Sequence, residues 1–349
     1  MEKDGLPPRP AAAQLTVTGQ HVAALAGVSK SAVSVVLNGN GTRHGLSQTT
    51  QERVQAAALA LGYMPNLAAS SLRRRRCKTI TLVTTDLGNR FFADVAAAAE
   101  TEARARGYVL NIVSAPTSEA EADLLQRQCN GTTDGLLIHG ATDRPQGVLA
   151  GLAARGIACV LLQDPGAGEA IPCVRADIEQ GGFLATSHLL SLGHTAIAHI
   201  TDRRTARHAR NERLEGYRRA LGETSSDPRL VVHGDNSMAG GADAMSELLA
   251  LPNPPTAVFA YNDQMAFGAM HILARRGLRV PEDVAVVGFD GTDLGAFSIP
   301  ALTTIEHPRQ ELGRLAAAAV LDQLAGRTPP PTQILPIRLV VRRSCGAHA

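Results

Sequence analysis

The hydrophobic positions divide the chain into two parts with different periods. Up to Leu72 they recur every three or four residues, in short runs separated by Gly27, Asn38 and Gly62, and this spacing predicts short amphipathic helices. From Thr79 onward, short apolar runs alternate with helical stretches. Such alternation is typical of βαβ units, in which helices cover both faces of a parallel sheet. The pattern therefore predicts an all-α N-terminal domain followed by a larger α/β core.

Two short helices at the start of the chain form a unit of their own. Thr18 and Ser29 are suited to cap the first and the second helix, because their hydroxyl oxygens can accept a hydrogen bond from a free N–H of the first turn. Gly27 lies between the two helices. Two short helices joined by a glycine-containing turn indicate a helix-turn-helix, whose second helix enters the major groove of DNA. That helix is predicted to run from Ser29 to Asn38.

The α/β core is predicted to form two lobes. Ten apolar runs are predicted strands: 79–86, 108–115, 135–140, 158–164, 195–202, 229–234, 256–261, 284–290, 302–305 and 333–341. Helices are predicted between nearly all of them, among them 91–106, 178–191, 210–221 and 262–276. Because these strands are many for one open sheet, we expect two lobes that face each other across a cleft. A ligand would bind there, at the carboxyl ends of the strands.

The composition places the chain among globular proteins. It has 349 residues, of which 44% are apolar and 19% charged, and this length predicts two or three domains. Five cysteines without a CxxC pair favour buried thiols in a reducing compartment over a disulfide framework. The first residues lack the pattern of a signal peptide, and no run of about 18 apolar residues predicts a membrane span. We therefore expect a cytoplasmic protein with no membrane partner.

The charge is distributed unevenly along the chain. The net charge is only +2, but residues 1–78 hold ten Lys and Arg against three acids, a net +7 that leaves −5 for the remainder. Such asymmetry indicates a nucleic-acid- or membrane-binding arm on a neutral body, and the helix-turn-helix pattern favours DNA. The run Arg73–Arg76 is either a solvated stretch or, beside a DNA-binding segment, a source of phosphate contacts without sequence specificity.

Four ordered motifs lie between Val17 and Leu72: VA-x-x-AGVS, VS-x-x-LN, LGY-x-PN and A-x-SL. With these motifs, the segment closely resembles the DNA-binding headpiece of LacI/GalR-family transcriptional regulators. The resemblance implies a base-reading second helix, polar positions that hold phosphates, and a hinge helix whose leucine enters the minor groove. The implied positions are Ser29, Lys30 and Ser31 for bases, Thr18, Ser34 and Asn38 for phosphates, and Asn66, Ala69 and Leu72 for the hinge. Ala32, beside the base-reading residues, is small enough to contact a thymine methyl group.

Further motifs cover most of the core: D-x-x-N-x-FF from residue 86, HLLSLGHTAIAHI, ERLEGYRRAL, YNDQMAFGAM, VPEDVAVVGFDGTD and PALTTIEHP. They resemble the effector-binding core of the same family, which is similar in fold to type I periplasmic sugar-binding proteins. The resemblance implies that Arg213, Asn262 and Asp290 line the effector pocket. Candidate stacking rings are Phe91, Phe92, Tyr261 and Phe297. Asp263 is expected instead to stabilise the start of a helix through its negative charge.

The sequence departs from the family pattern at several positions. Val35 replaces a recognition-helix residue that is often polar, so the operator sequence does not follow from the operators of other family members. The loop Gly39–Gly45 is a few residues longer, which is either an added DNA-backbone contact or a tolerated insertion. Gln163 stands where many members have an acid, and Asn236 stands where one lactose-type member has Trp. The ligand therefore stays open between a sugar or related polyol, our first hypothesis, and a nucleobase or other small metabolite.

Two other function classes fit the sequence less well. An enzyme would need a motif such as GxGxxG at a helix start, GxxxxGK[ST] or a serine nucleophile elbow, and none is present. His188, His194 and His199 do not share one face, so we expect no metal site there. Because the catalytic and cofactor motifs are missing, we also expect no cofactor and no catalytic residue. A transport binding protein would have an export signal and would lack a DNA-binding headpiece, and neither expectation agrees with this sequence.

The sequence thus predicts a homodimeric transcriptional repressor. It would bind a pseudopalindromic operator under the control of a small-molecule effector, with a sugar as the first hypothesis. The predicted parts are a flexible tail (1–14), the helix-turn-helix headpiece (15–63), a hinge helix with a basic linker (64–78) and the core (79–345). Within the core, the N-lobe is predicted at 79–175 and 309–336 and the C-lobe at 176–305 and 337–345.

Overall fold

The chain forms two compact units, 1–75 and 76–349. The structure, a computed structural model, describes residues 17–64, 76–128, 132–139, 147–164, 171–203, 211–222 and 227–347. The predicted tail 1–14, the hinge positions Asn66, Ala69 and Leu72, and Arg73–Arg75 lie outside the described residues.

The described part of the first unit contains three α-helices, α1 (Gly19–Ala26), α2 (Lys30–Leu37) and α3 (Gln48–Ala60), and a short 3-10 turn at Thr42–His44. Helices α1 and α2 meet at 102°, as expected for a helix-turn-helix. Gly27 turns the chain between them with a φ of +66°, a left-handed conformation that side chains disfavour. A small core joins the three helices through Val22, Ala23, Ala26, Val33, Val36, Val54, Ala57 and Ala58. The predicted helix-turn-helix is confirmed.

The second unit contains two lobes, each built on a six-stranded sheet. The N-lobe sheet holds β1 (Thr79–Thr84), β2 (Val109–Ser114), β3 (Gly135–His139), β4 (Ala158–Leu162), β5 (Cys173–Ala176) and β11 (Thr332–Leu335), in the order β11-β5-β4-β3-β1-β2. The C-lobe sheet holds β6 (Ile197–Asp202), β7 (Val231–Gly234), β8 (Ala257–Ala260), β9 (Ala285–Asp290), β10 (Thr303–Glu306) and β12 (Arg338–Val340), in the order β12-β10-β9-β8-β6-β7. All paired strands are parallel except β12, which runs antiparallel to β10. The predicted two-lobed core with parallel sheets is confirmed.

Helices surround both sheets. The N-lobe carries α4 (Arg90–Ala105), α5 (Ser118–Gln128), α6 (Val148–Ala154) and α12 (Arg309–Leu324). The C-lobe carries α7 (Ile178–Ser191), α8 (Glu212–Leu221), α9 (Met238–Leu249), α10 (Asp263–Arg275) and α11 (Leu294–Phe297). Within the described ranges, no single helix is long and apolar enough to cross a membrane.

The chain crosses between the lobes three times, and two strand predictions fail near these crossings. The crossings follow β5, β10 and β11. The run 333–341 was predicted as one strand, but it divides at Pro336 into β11 and β12, which belong to different sheets. Proline has no N–H to give to a sheet, so the ladder stops there although the apolar pattern continues. Strand β5 was not predicted, because it is only four residues long and contains the charged Arg175.

Candidate functional site

The first turn of α2 exposes small polar side chains. Ser29 caps the helix, since its Oγ accepts a hydrogen bond from the N–H of Ala32 at 3.2 Å. The same Oγ lies 2.8 Å from Oγ of Ser31. Lys30 and Ser31 are exposed, and Ala32 is half-buried. This surface is sterically open to base edges, and Lys30 is its one long cationic donor.

The predicted phosphate-holding residues lie at helix ends on the surface of the first unit. Thr18 is exposed and precedes α1, and its backbone N–H donates to Nδ1 of His21 at 3.2 Å. Ser34 and Asn38 are exposed at the other end of α2, where the Asn38 side-chain amide donates to the carbonyl of Ser34. These positions offer hydroxyl, amide and helix N-terminal donors, the groups that commonly hold phosphates.

The longer loop after α2 is anchored to α3. Gln51 of α3 donates through Nε2 to the carbonyl of Leu46 at 2.9 Å and to Oγ1 of Thr42 at 3.3 Å. A Cβ atom at Gly41 would lie 2.4 Å from the Gln51 side chain, so the loop packs closely there. Arg43, at the centre of the loop, is exposed.

In the second unit, the half-buried Arg213 and the buried Asp290 form an ion pair beside two aromatic rings. Nη2 of Arg213, on α8, lies 3.7 Å from Oδ1 of Asp290, at the end of β9. The guanidinium lies 4.1 Å from the ring centres of both Tyr261 and Phe289. Burial raises the pKa of Asp290 to about 7, although Arg213 and Arg309 oppose this rise. Two of the predicted pocket residues are thus together, beside the predicted ring of Tyr261.

The N-lobe contributes aromatic and polar groups to the same place. Phe91 and Phe92 begin α4, with ring centres 5.1 Å apart in an edge-to-face arrangement. The Phe91 ring also meets the His307 ring edge-on at 4.8 Å. Asn89 accepts a hydrogen bond from the N–H of Phe91 at 2.9 Å, and its side chain hydrogen-bonds to Asp290. Asp290 of the C-lobe therefore contacts the N-lobe directly.

A second arginine, Arg309, also joins the lobes. Its guanidinium donates to the carbonyl of Asp290 and lies 2.8 Å from Oδ2 of Asp94 on α4. Sequence reasoning missed Arg309, Asn89, Phe289 and His307 as members of the site. Three of them lay inside the quoted motifs, but their side-chain roles depend on contacts between distant parts of the chain.

Asn262 is buried and its amide is used inside the protein. Its Oδ1 accepts from the N–H of Met265 at 2.8 Å and so caps α10, while its Nδ2 donates to Oδ1 of Asn236 at 2.9 Å. Asn262 therefore orients the start of α10 beside the site. The neighbouring Asp263 accepts hydrogen bonds from both Thr292 and Thr304, and burial raises its pKa to about 6.

Four other residues considered from the sequence lie apart from this cluster. Phe297 is 83% exposed. The three histidines have separate partners: His188 with Sγ of Cys345 at 3.2 Å, His194 with Oγ1 of Thr256 at 3.0 Å, and His199 with the carbonyl of Phe259 at 2.9 Å.

Comparison with known proteins identifies the family. Residues 19–66 match the model for bacterial regulatory proteins of the lacI family, and residues 186–345 match that for the periplasmic binding protein-like domain. The HTH-type transcriptional repressor CytR of Escherichia coli K12 is 32% identical over 339 residues, which cover 96% of this chain and 98% of the relative. The chain belongs to the LacI family.

Solved structures of LacI-family proteins share the fold. The lac repressor dimer bound to operator and the anti-inducer ONPF superposes with a TM-score of 0.82 at 29% identity, covering 95% of this chain and 99% of that one. The transcriptional regulator CelR in its cellobiose complex gives 0.70 at 32% identity, covering 94% and 99%. As predicted, this LacI-family chain is a DNA-binding transcriptional regulator, and the named relatives are regulators rather than enzymes.

Proposed function

We propose that the chain is an operator-binding repressor whose affinity for DNA is set by a small molecule bound between the two lobes of its core. The observation that carries the proposal is the presence, in one chain, of a helix-turn-helix whose second helix begins with exposed polar residues and of an Arg213–Asp290 ion pair where the lobes meet. Repression is supported by the relative CytR, which is named a repressor. The proposed parts are the headpiece 15–63, the hinge 64–78 and the core 79–345, acting in the cytoplasm without catalytic residues.

We further propose that the protein acts as a homodimer on a pseudopalindromic operator. Exposed apolar side chains on the core support this assembly: Val109 and Ile112 on edge strand β2, and Phe297 and Ile299, which are 83% and 97% exposed. Large apolar side chains on an edge strand or a surface segment are typical of association surfaces. The lac repressor dimer on its operator supports the same arrangement.

The DNA contacts are tested at Lys30. A lysine that reads a guanine in the major groove contributes roughly 1–3 kcal/mol of discrimination, so Lys30→Ala should relax the preference at one half-site position by about 5- to 150-fold. Binding-site selection from a random library measures this for full-length protein. Arg104→Ala, which removes an exposed arginine of α4, is the matched control and should leave the selected sequence unchanged. An unchanged preference in Lys30→Ala would remove Lys30 from base reading.

The effector is proposed to be a sugar or related polyol. Arg213 offers donors and Asp290 an acceptor within about one hydroxyl spacing of each other, and aromatic rings flank them. Support comes from the CelR–cellobiose complex and from a LacI-family regulator of Enterococcus faecium with bound ribose. Thermal-shift screening with cellobiose, ribose, adenine and cytosine tests the class, because a bound ligand raises the melting temperature. A shift with the bases alone would replace the sugar proposal.

A further inference from the structure

A buried histidine lies at one of the crossings between the lobes. His307 follows β10, is 3% exposed, and has its ring against Phe91. Its Nε2 contacts Nε2 of Gln163, which follows β4. Its Nδ1 is buried and has no hydrogen-bond partner among the residues that the structure describes.

The protonation of His307 follows from the orientation of Gln163. Oε1 of Gln163 accepts a hydrogen bond from the backbone N–H of Ala176 at 2.8 Å, and a backbone N–H can only donate. The other end of this amide, Nε2, therefore faces His307 and donates to it. His307 Nε2 must then be the acceptor, so the proton of the neutral ring is on Nδ1. Burial, together with Arg213 and Arg309, lowers the pKa of His307 well below its ordinary value, so the ring is uncharged.

Other buried side-chain atoms in the described part of the chain also have no hydrogen-bond partner, and two of them belong to the carboxyl end of a strand and to the ion pair with Asp290. They are Oγ1 of Thr84, the last residue of β1, and Nε of Arg213. Buried polar groups are normally hydrogen-bonded, and each one left alone costs about 1–3 kcal/mol. His307 and Arg213 both lie against Asp290 and Phe289, so a ligand at that place could supply partners for their unpaired atoms.

We propose that His307 determines the specificity of the effector site by presenting a fixed, uncharged N–H, so that the ligand must place a hydrogen-bond acceptor against it. The proposal rests on the proposed effector function of the cleft. A ligand hydroxyl fits, because its oxygen accepts from His307 while its hydrogen is donated to Asp290. An ammonium group, which only donates, does not fit. Gln163 sets this polarity: a carboxylate at 163 would accept a hydrogen bond from a protonated Nε2, and Nδ1 of the neutral ring would then be an acceptor.

The first test reads the proton directly in ligand-free, full-length protein. Magic-angle-spinning NMR of ¹⁵N-histidine-labelled samples distinguishes protonated from bare ring nitrogens, and the His307 signals are those that disappear in His307→Asn. At pH 7 we expect a protonated Nδ1 and a bare Nε2 in the wild type. Gln163→Glu should place a proton on Nε2. A wild-type ring with the proton on Nε2, or with both nitrogens protonated, overturns the proposal, as does a spectrum that Gln163→Glu leaves unchanged.

The second test measures binding of cellobiose and ribose by calorimetry. Asparagine places its amide N–H near the position of Nδ1, so His307→Asn should bind within about 3-fold of the wild type. His307→Leu removes the donor and should lose about 10-fold or more, the effect of one unmade buried hydrogen bond. Equal affinities in the wild type and His307→Leu overturn the proposal. If neither sugar binds, the sugar class fails, whereas the NMR result still decides the polarity of His307.

Discussion

The buried carboxyl of Asp290 should make the stability of the core depend on pH. In an unfolded chain an aspartate has a pKa near 3.9, whereas burial raises that of Asp290 to about 7. The folded protein therefore binds the proton more tightly, and between about pH 4 and pH 7 the free energy of unfolding falls as pH rises. A shift of about three units corresponds to up to about 4 kcal/mol at pH 8, from 1.36 kcal/mol per unit. The pKa of about 7 already includes the effect of Arg213 and Arg309, whose positive charges lower the pKa of Asp290.

Asp290→Asn removes this titration and keeps the shape of the side chain. Urea unfolding of full-length wild type and variant, followed by circular dichroism at 222 nm from pH 4 to pH 8, measures the effect. We expect the stability of the variant relative to the wild type to rise by about 2–4 kcal/mol over this range. Asp293→Asn is the control, because the Asp293 side chain is 71% exposed and its ion pair with Arg90 spans 3.9 Å. Parallel pH profiles for the wild type and Asp290→Asn would refute the reasoning.

Three further predictions, the last with a matched pair of variants, test the other parts of the chain. Leu72→Ala should weaken binding to the operator far more than to random DNA in fluorescence anisotropy, because an apolar wedge acts only at its base step; equal losses would refute the wedge. Phe297→Asp should shift the sedimentation equilibrium toward monomer, and an unchanged dimer would exclude this surface from the interface. Gly268→Ala should lower the free energy of unfolding by about 3 kcal/mol or more, because its Cβ would lie 1.9 Å from the carbonyl oxygen of Met238. Gly151→Ala, a helical position with open space around it, should instead stabilise by about 0.5–1 kcal/mol, and the reasoning fails if both variants behave alike.

The elements that the sequence predicted correctly are those whose signal is local. The turn at Gly27 and the apolar runs of strands such as β4 and β8 carry their own pattern, since a strand buried on both faces is mostly apolar. Strand β5 and the crossing at Pro336 were missed or misassigned, because their identity depends on which sheet the chain joins. The same holds for the site. The contact between Gln163 and His307 joins residues 144 positions apart, so no local sequence pattern predicts it.

The role of Asn262 shows a further limit. The sequence places it correctly at the start of a helix, but its amide is shared between the helix cap and Asn236. An asparagine at this position could either hold a loop in place or bind a ligand, and the sequence is the same in both cases. Only the hydrogen-bond partners distinguish the two roles.

The three crossings also determine when each lobe can be completed during synthesis. The N-lobe core includes Leu312, Ala316, Ala317 and Val320 of α12, and its sheet ends with β11. These parts leave the ribosome after almost the whole C-lobe, whose own last strand, β12, follows at residues 338–340. Neither lobe is therefore whole until the final few dozen residues have been made. A truncated chain that stops before α12 would expose the apolar face of the N-lobe sheet. Chaperones and proteases would therefore act on an intermediate in which both lobes are incomplete.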